Sequence, residues 1–146
     1  MQTHELEKFL QTQIPLVATL GVRVIQANDD LVELRAPLEP NRNHLGTVFG
    51  GSIYSTAVLA CYAWLYNVLK NRNLECHVVI KSGQIKYIRP VNGDFSCVCF
   101  SPAENDFEKF LLTLERKQRG QISLRSEIKV KSDVVCIFEG EFVAIL

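Results

Sequence analysis

The hydrophobic pattern of the chain is dominated by residues 45–69, a run of twenty-five positions without an Asp, Glu, Lys or Arg. Charged residues make up 22% of the whole sequence, and Arg42 and Lys70 stand on either side of the run. A helix that is apolar on every side is either a membrane span or a helix surrounded by its own protein. Because serine, threonine, tyrosine and asparagine dilute the run, we expect no membrane span. The pattern instead predicts a buried helix from about Thr47 to Leu69, about 34 Å long.

Strand patterns lie on both sides of this helix. In the segment Leu31–Pro37, Val32 and Leu34 alternate with Glu33 and Arg35, which is typical of a sheet with one buried face. An amphipathic helix is predicted before the strands and ends near Pro15. The six predicted strands are Val22–Ala27, Leu31–Pro37, His77–Ile88, Asp94–Phe100, Gln121–Lys131 and Val134–Ile145.

The connections carry their own signals. Residues 28–30, 89–93 and 132–133 have the composition of turns. Ser101 and Glu104 have the spacing of a capping box, so the sequence predicts a further helix after the fourth strand. A basic end followed by Gly120 predicts where that helix stops.

The order of elements is helix, strand, strand, long buried helix, strand, strand, helix, strand, strand, without a repeat or a linker. We therefore predict one domain over residues 1–146, of the α+β class. In this architecture a six-stranded antiparallel sheet wraps around the long helix.

Composition narrows the functional classes. The chain has 16 basic and 16 acidic residues, so no broad surface for nucleic acid is expected. The N-terminal residues 1–15 contain acidic residues and lack a continuous apolar stretch. We therefore expect no signal peptide and a cytoplasmic location. Five cysteines without a Cys-x-x-Cys pair indicate reduced thiols and no metal site.

The candidate chemistry lies in the first turn of the long helix. The first N–H groups of a helix have no partner within it and favour negative charge. Gly50 and Gly51 lack a Cβ atom, so a substrate carbonyl can approach their amides closely, as acyl transfer requires. An alternative interpretation is that the glycines only let the helix pack tightly against the sheet.

The preceding block strengthens the functional interpretation. The sequence PNRNHLGTVFGGSIYS, with Asn41–Ser52 as its specific part and Tyr87–Val91 as support, resembles the putative thioesterase family of hotdog domains. The resemblance extends from about Leu20 onward. It implies a hotdog fold that hydrolyses acyl-CoA or acyl-carrier-protein thioesters, with coenzyme A or the carrier as part of the substrate and no separate cofactor. It also implies a homodimer or a dimer of dimers, with the acyl chain beside the long helix at a subunit interface.

The resemblance and the local chemistry together give two sets of candidate residues. His44 is a candidate general base, because an imidazole can take up a proton near neutral pH. Asn41 and Asn43 can equally be turn formers, and Ser52 lacks an adjacent base that would make it a nucleophile. The candidate catalytic residues are Asn43, His44, Gly51 and Ser52. The candidate substrate-binding residues are Asn41, Phe49, Gly50, Tyr54, Ser55, Lys81, Lys86 and Arg89.

The long helix of this sequence contains no Asp or Glu. Many hotdog thioesterases carry such a residue in the long helix or in the loop before it. Here the matching position, two turns after Gly51, is Val58. Water must then be activated by neutral polar groups, by His44, or by a residue of a partner subunit. Otherwise the domain binds acyl thioesters without hydrolysing them, or is a module associated with an acyltransferase. A dehydratase of the same fold agrees less well, because it needs an acid and a histidine across the substrate.

Overall fold

The computed structural model describes residues 1–146 and contains one antiparallel sheet of six strands. The spatial order is β1-β2-β4-β5-β6-β3, and every neighbouring pair is antiparallel. The strands are β1 (Arg23–Ala27), β2 (Leu31–Ala36), β3 (His77–Tyr87), β4 (Phe95–Phe100), β5 (Arg119–Val130) and β6 (Asp133–Ile145). The helices are α1 (Thr3–Gln13), α2 (Pro15–Leu20), α3 (Gly50–Asn71) and α4 (Glu104–Lys117).

Helix α3 is the long helix that the sequence predicts, and it contacts strands β2 to β6. Its Ala57, Cys61 and Trp64 are buried in the core. The helix is long and apolar enough to cross a membrane by length and composition, but 67% of its most apolar window is buried inside this chain. A sheet wrapped around one long helix is the hotdog fold, so the predicted fold class is confirmed.

The two faces of the sheet follow the predicted alternation. On β5, Ile122, Leu124 and Ile128 are buried, whereas Arg125 is exposed on the opposite face. The inner face contacts α3 and the outer face is polar, because residues of a strand point alternately to its two sides. The core helix therefore lies entirely on one side of the sheet.

Helix α1 ends at Gln13, near Pro15 as predicted, but a short helix that was not predicted follows it. Pro15 begins this helix, α2, because proline at the first helical position has no N–H to lose. Helix α3 begins at Gly50 rather than at Thr47. Residues 47–49 are not helical, since the N–H of Val48 donates to the carbonyl of Val91 at 2.8 Å.

Helix α4 and its basic end at Lys117 are present as predicted, but the predicted capping box and glycine stop are wrong. Ala103 precedes the helix and no side chain caps it, while the N–H of Ser101 donates to the carbonyl of Asp30 at 2.8 Å. The helix ends through Gln118, which adopts a left-handed conformation with φ of 61°. Gly120 lies in β5, where a Cβ atom would be 3.0 Å from the ring of Phe110. This glycine permits close packing rather than stopping the helix.

The turn composition of residues 89–93 suggested that β3 and β4 are joined by a turn. In the structure these two strands are not neighbours and form no hairpin. Strand β3 lies at one edge of the sheet and β4 lies between β2 and β5. The chain therefore crosses the end of the sheet, and Val91 is buried in the core on the way. Because the carbonyl of Val91 accepts the Val48 N–H, the crossing segment lies beside the start of α3.

A hydrogen-bonded loop leads into α3. Asn41 is buried, and its amide donates to the carbonyls of Leu20 and Pro37, each at 2.8 Å. Asn43 accepts from the N–H groups of Leu45 and Thr47 at 2.8 and 3.1 Å and donates to the Thr47 hydroxyl at 2.8 Å. Both asparagines therefore hold the loop, which is the turn-forming role left open by the sequence.

We expect Asn43→Ala to destabilise the loop, because two backbone N–H groups lose their acceptor. The expected loss is about 1–3 kcal/mol of unfolding free energy, with faster amide exchange at Leu45 and Thr47. Urea unfolding and hydrogen exchange test this. Asn43→Asp keeps the accepting oxygen and should restore most of the stability. Equal losses in both variants would contradict the assignment.

Candidate functional site

The start of α3 is uncapped. Phe49 precedes the helix, and no side chain accepts a hydrogen bond from the first turn. The N–H groups of Ser52 and Ile53 donate to the carbonyl of Phe49 at 3.0 and 3.2 Å. Those of Gly50 and Gly51 donate to no protein acceptor. Two free N–H groups at the positive end of a helix form an anion-binding or oxyanion-binding position.

An open cavity of about 590 Å³ adjoins these two amides. Three segments form it: the loop before the helix, the helix start, and the segment that crosses from β3 to β4. The only charged residue in its lining is Arg89. The lining residues are Asn43, Leu45, Thr47, Val48, Gly50, Gly51, Ile53, Tyr87, Ile88, Arg89, Pro90 and Val91.

Phe49 explains why residue 51 is a glycine. Its side chain is 58% exposed, and a Cβ atom on Gly51 would overlap the ring at Cε2. The ring therefore lies across the glycine, directly beside the free amides. A larger residue at position 51 would displace the ring.

Tyr87, the last residue of β3, was missed as a candidate site residue. Its hydroxyl donates to the carbonyl oxygen of Gly50 at 2.8 Å. Burial, with smaller contributions from Cys136 and Tyr54, raises the pKa of the phenol, so the hydroxyl keeps its proton at neutral pH. The two residues are 37 positions apart, and a local pattern carries no signal for such a contact.

A second cavity, of about 480 Å³, follows the same side of α3. Ser55, Val58 and Tyr62 line it, and they follow Gly51 by four, seven and eleven positions, which places all four on one stripe of a helix. Tyr54 also lines it and packs edge-on against Phe138, with ring centroids 5.4 Å apart. The lining residues are Ile14, Leu16, Tyr54, Ser55, Val58, Leu59, Tyr62, Val78, Val79, Ile80 and Phe142.

The predicted catalytic side chains are not all brought together. Asn43 lines the first cavity, but its amide is engaged within the loop. His44 is exposed on the same loop and makes no hydrogen bond. Ser52 lines neither of the two cavities. Glycine amides therefore form the site, and His44 lies six positions before Gly50 in the sequence.

The predicted basic residues divide into two groups. Arg89 lines the cavity at the helix start. Lys81 donates to Gln121 at 3.2 Å, and Lys86 lies with Arg125 and Glu139 on the outer face of the sheet. The sheet thus separates Lys81 and Lys86 from the free amides, and these two lysines are not part of the site in one chain.

The cysteines do not supply an alternative nucleophile. All five thiols are free. Burial raises the pKa of Cys97 and Cys99 well above the ordinary value, with Cys61 adding to the effect. A thiol that stays protonated is a weak nucleophile. Covalent chemistry through these buried cysteines is therefore disfavoured.

Solved structures share this architecture over nearly the full length. A protein of unknown function from Chlorobaculum tepidum is 31% identical, with a TM-score of 0.91 over 98% of this chain and 93% of its own. A protein from Shewanella oneidensis described as a putative thioesterase is 22% identical, with a TM-score of 0.89 and coverage of 99% and 97%. A protein from Pseudomonas aeruginosa described as a probable thioesterase is 19% identical, with a TM-score of 0.85 and coverage of 99% and 96%.

The family comparison agrees with the geometry of the helix start. Residues 3–146 match the family model described as "Putative thioesterase (yiiD_Cterm)". The match includes the loop, both glycines and the crossing segment that line the first cavity. Two amides without a protein acceptor lie at the start of the core helix within this match. Because the match covers nearly the whole sequence, the chain belongs to this putative thioesterase family.

Proposed function

We propose that this protein hydrolyses acyl thioesters at the start of α3. The observation that carries the proposal is the pair of free N–H groups of Gly50 and Gly51 beside an open cavity. Water attacks the thioester carbonyl carbon, and the oxygen gains negative charge that the two amides stabilise. Collapse of this intermediate breaks the carbon–sulfur bond and releases a carboxylic acid and a thiol.

The two cavities suggest how such a substrate lies. The apolar cavity along Ser55, Val58 and Tyr62 continues the helix stripe of Gly51, so it suits the acyl chain. It contains no charged residue, which favours an uncharged hydrocarbon chain over a dicarboxylic one. Arg89 beside the first cavity suits a phosphate of coenzyme A or of the phosphopantetheine arm of an acyl carrier protein.

The first test is thiol release from a panel of acyl-CoA and acyl-carrier-protein substrates, with Gly51→Ala as the variant. We expect wild-type turnover and a kcat at least about tenfold lower in the variant, because the displaced Phe49 ring obstructs the amides. Stability should not fall, since alanine favours a helix over glycine by about 0.5–1 kcal/mol.

Gly93→Ala is the matched control, because a Cβ atom at that position meets no atom within 4 Å. Its kcat should equal that of wild type. If no substrate turns over while acyl-CoA still binds, hydrolysis is refuted. The protein is then a non-hydrolytic acyl-thioester binding module. The observation that favours this second function is the absence of a carboxylate from the cavity lining.

The second test concerns the proton acceptor. His44 is the histidine of the loop, and an imidazole is a common general base. We expect His44→Ala to lower kcat by about 100-fold. His4→Ala, at an exposed position of α1, should leave kcat unchanged. An unaffected His44→Ala enzyme would rule out His44 and leave neutral polar groups or a residue of a second subunit to activate the water.

A second copy of the chain is the proposed occupant of the β3 edge. Strand β3 pairs only with β6, and an unpaired edge is a ready template for another strand. Val79 and Ile80 on this strand are 53% and 39% exposed and line the apolar cavity. Pairing of two copies there would cover this surface and close the cavity from its open side.

For assembly, we expect light scattering to give twice the mass of one chain or a multiple of that mass. Val79→Lys should shift the protein toward monomer, because it places a charge in the apolar contact, and turnover should fall with dimer content. Leu112→Lys is the matched control, since Leu112 is 58% exposed on α4, away from the edge strand. A monomeric wild-type protein would contradict the proposed dimer.

A further inference from the structure

We propose that Tyr87 is a positioning residue that polarises the peptide group between Gly50 and Gly51. The inference rests on the proposed function, because it concerns the strength of the Gly51 N–H as an oxyanion donor. The Tyr87 hydroxyl donates to the Gly50 carbonyl at 2.8 Å. That carbonyl and the Gly51 N–H belong to the same peptide unit, so the tyrosine and the substrate oxygen would bind its two ends.

Polarisation follows from the cooperativity of hydrogen bonds. A donor at the carbonyl oxygen draws electron density away from the peptide nitrogen and makes its N–H a stronger donor. Each added bond in such a chain strengthens the next by about 10–30%. A carbonyl oxygen has two lone pairs, so the helical bond and the tyrosine bond can both form. Gly51 has no protein acceptor for its N–H, and the polarised bond is therefore free for a ligand.

Tyr87 is held in place from the sheet rather than from the helix. It pairs with Cys136 of β6, and the next two residues, Ile88 and Arg89, donate their N–H groups to the carbonyl of Val135 at 3.0 and 3.2 Å. A Cβ atom on Gly50 would lie 3.3 Å from the Tyr87 hydroxyl oxygen. Glycine at this position thus admits the phenol, and the rigid sheet edge fixes the orientation of the first peptide of α3.

The effect should appear in the chemical step. Negative charge on the thioester oxygen develops in the transition state, so a stronger donor stabilises that state more than the bound substrate. Loss of an interaction made mainly in the transition state lowers kcat and leaves KM nearly unchanged. A loosened helix start would instead weaken ligand binding as well.

Tyr87→Phe tests the inference. We expect kcat for the best acyl-CoA substrate to fall about two- to eightfold, because one oxyanion donor contributes about 10²–10³ in kcat and loss of the tyrosine bond weakens it by about 10–30%. KM should stay close to wild type. A thioether analogue of that substrate lacks the carbonyl and should bind wild type and variant with equal affinity. Tyr66→Phe is the matched control, because the Tyr66 hydroxyl makes no side-chain hydrogen bond and the ring keeps its stacking on Phe9.

A second measurement does not depend on turnover. In protein labelled with ¹⁵N, Tyr87→Phe should move the Gly51 amide proton to higher field, because its N–H becomes less polarised. Tyr66→Phe should leave that resonance in place. An unchanged Gly51 shift, an unchanged kcat, or a parallel loss of thioether affinity would each overturn the inference. Absence of turnover in wild type, with the Gly51 shift as expected, would refute the hydrolase and not the role of Tyr87.

Discussion

Burial of the uncharged helix α3 is the constraint on which the rest of the structure depends. From Gly50 to Leu69 the helix has no ionised side chain, so nearly every side of it must be covered. The inner face of the sheet covers one side, and α1 packs against another through the stacked rings of Phe9 and Tyr66. Asn67 is a polar residue of the buried helix, and its side-chain amide has no hydrogen-bond partner in the chain. Such a group lowers stability rather than adding to it.

The same constraint shapes the site. A buried helix without a capping side chain leaves polar N–H groups that must be satisfied or exposed. Here the side chains of Asn41 and Asn43 form hydrogen bonds with residues other than Gly50 and Gly51. The Gly50 and Gly51 amides therefore remain open to the cavity. The phenol of Tyr87 then ties the first carbonyl of the helix to the sheet edge. Rigidity around an unsatisfied pair of donors is the arrangement that oxyanion stabilisation requires.

Much of this fold could be predicted from the sequence because its signals are local. The charge-free run identifies α3, and the alternation of Ile122 and Leu124 with Arg125 identifies the faces of β5. The capping box and the glycine stop around α4 were wrong because Ser101 binds Asp30 and Gly120 packs on Phe110. Likewise, β3 and β4 follow one another in the chain but are separated in the sheet. Tertiary contacts overrode the local signal in each case, and the Tyr87 contact depends on that separation.

The charge-free helix also determines what the site lacks. A carboxylate at Val58, the position where related enzymes are expected to carry one, would project into the apolar cavity that Val58 lines, where an ionised group is costly. In the proposed hydrolysis, the proton acceptor would therefore come from outside the helix, either from the loop or from a second chain. Strand β3 contributes to both cavities: Val79 and Ile80 line the apolar one and Tyr87 the one at the helix start. The edge at which we propose a second copy thus carries the residue that contacts the helix start, so the proposed assembly would be physically linked to the glycine amides.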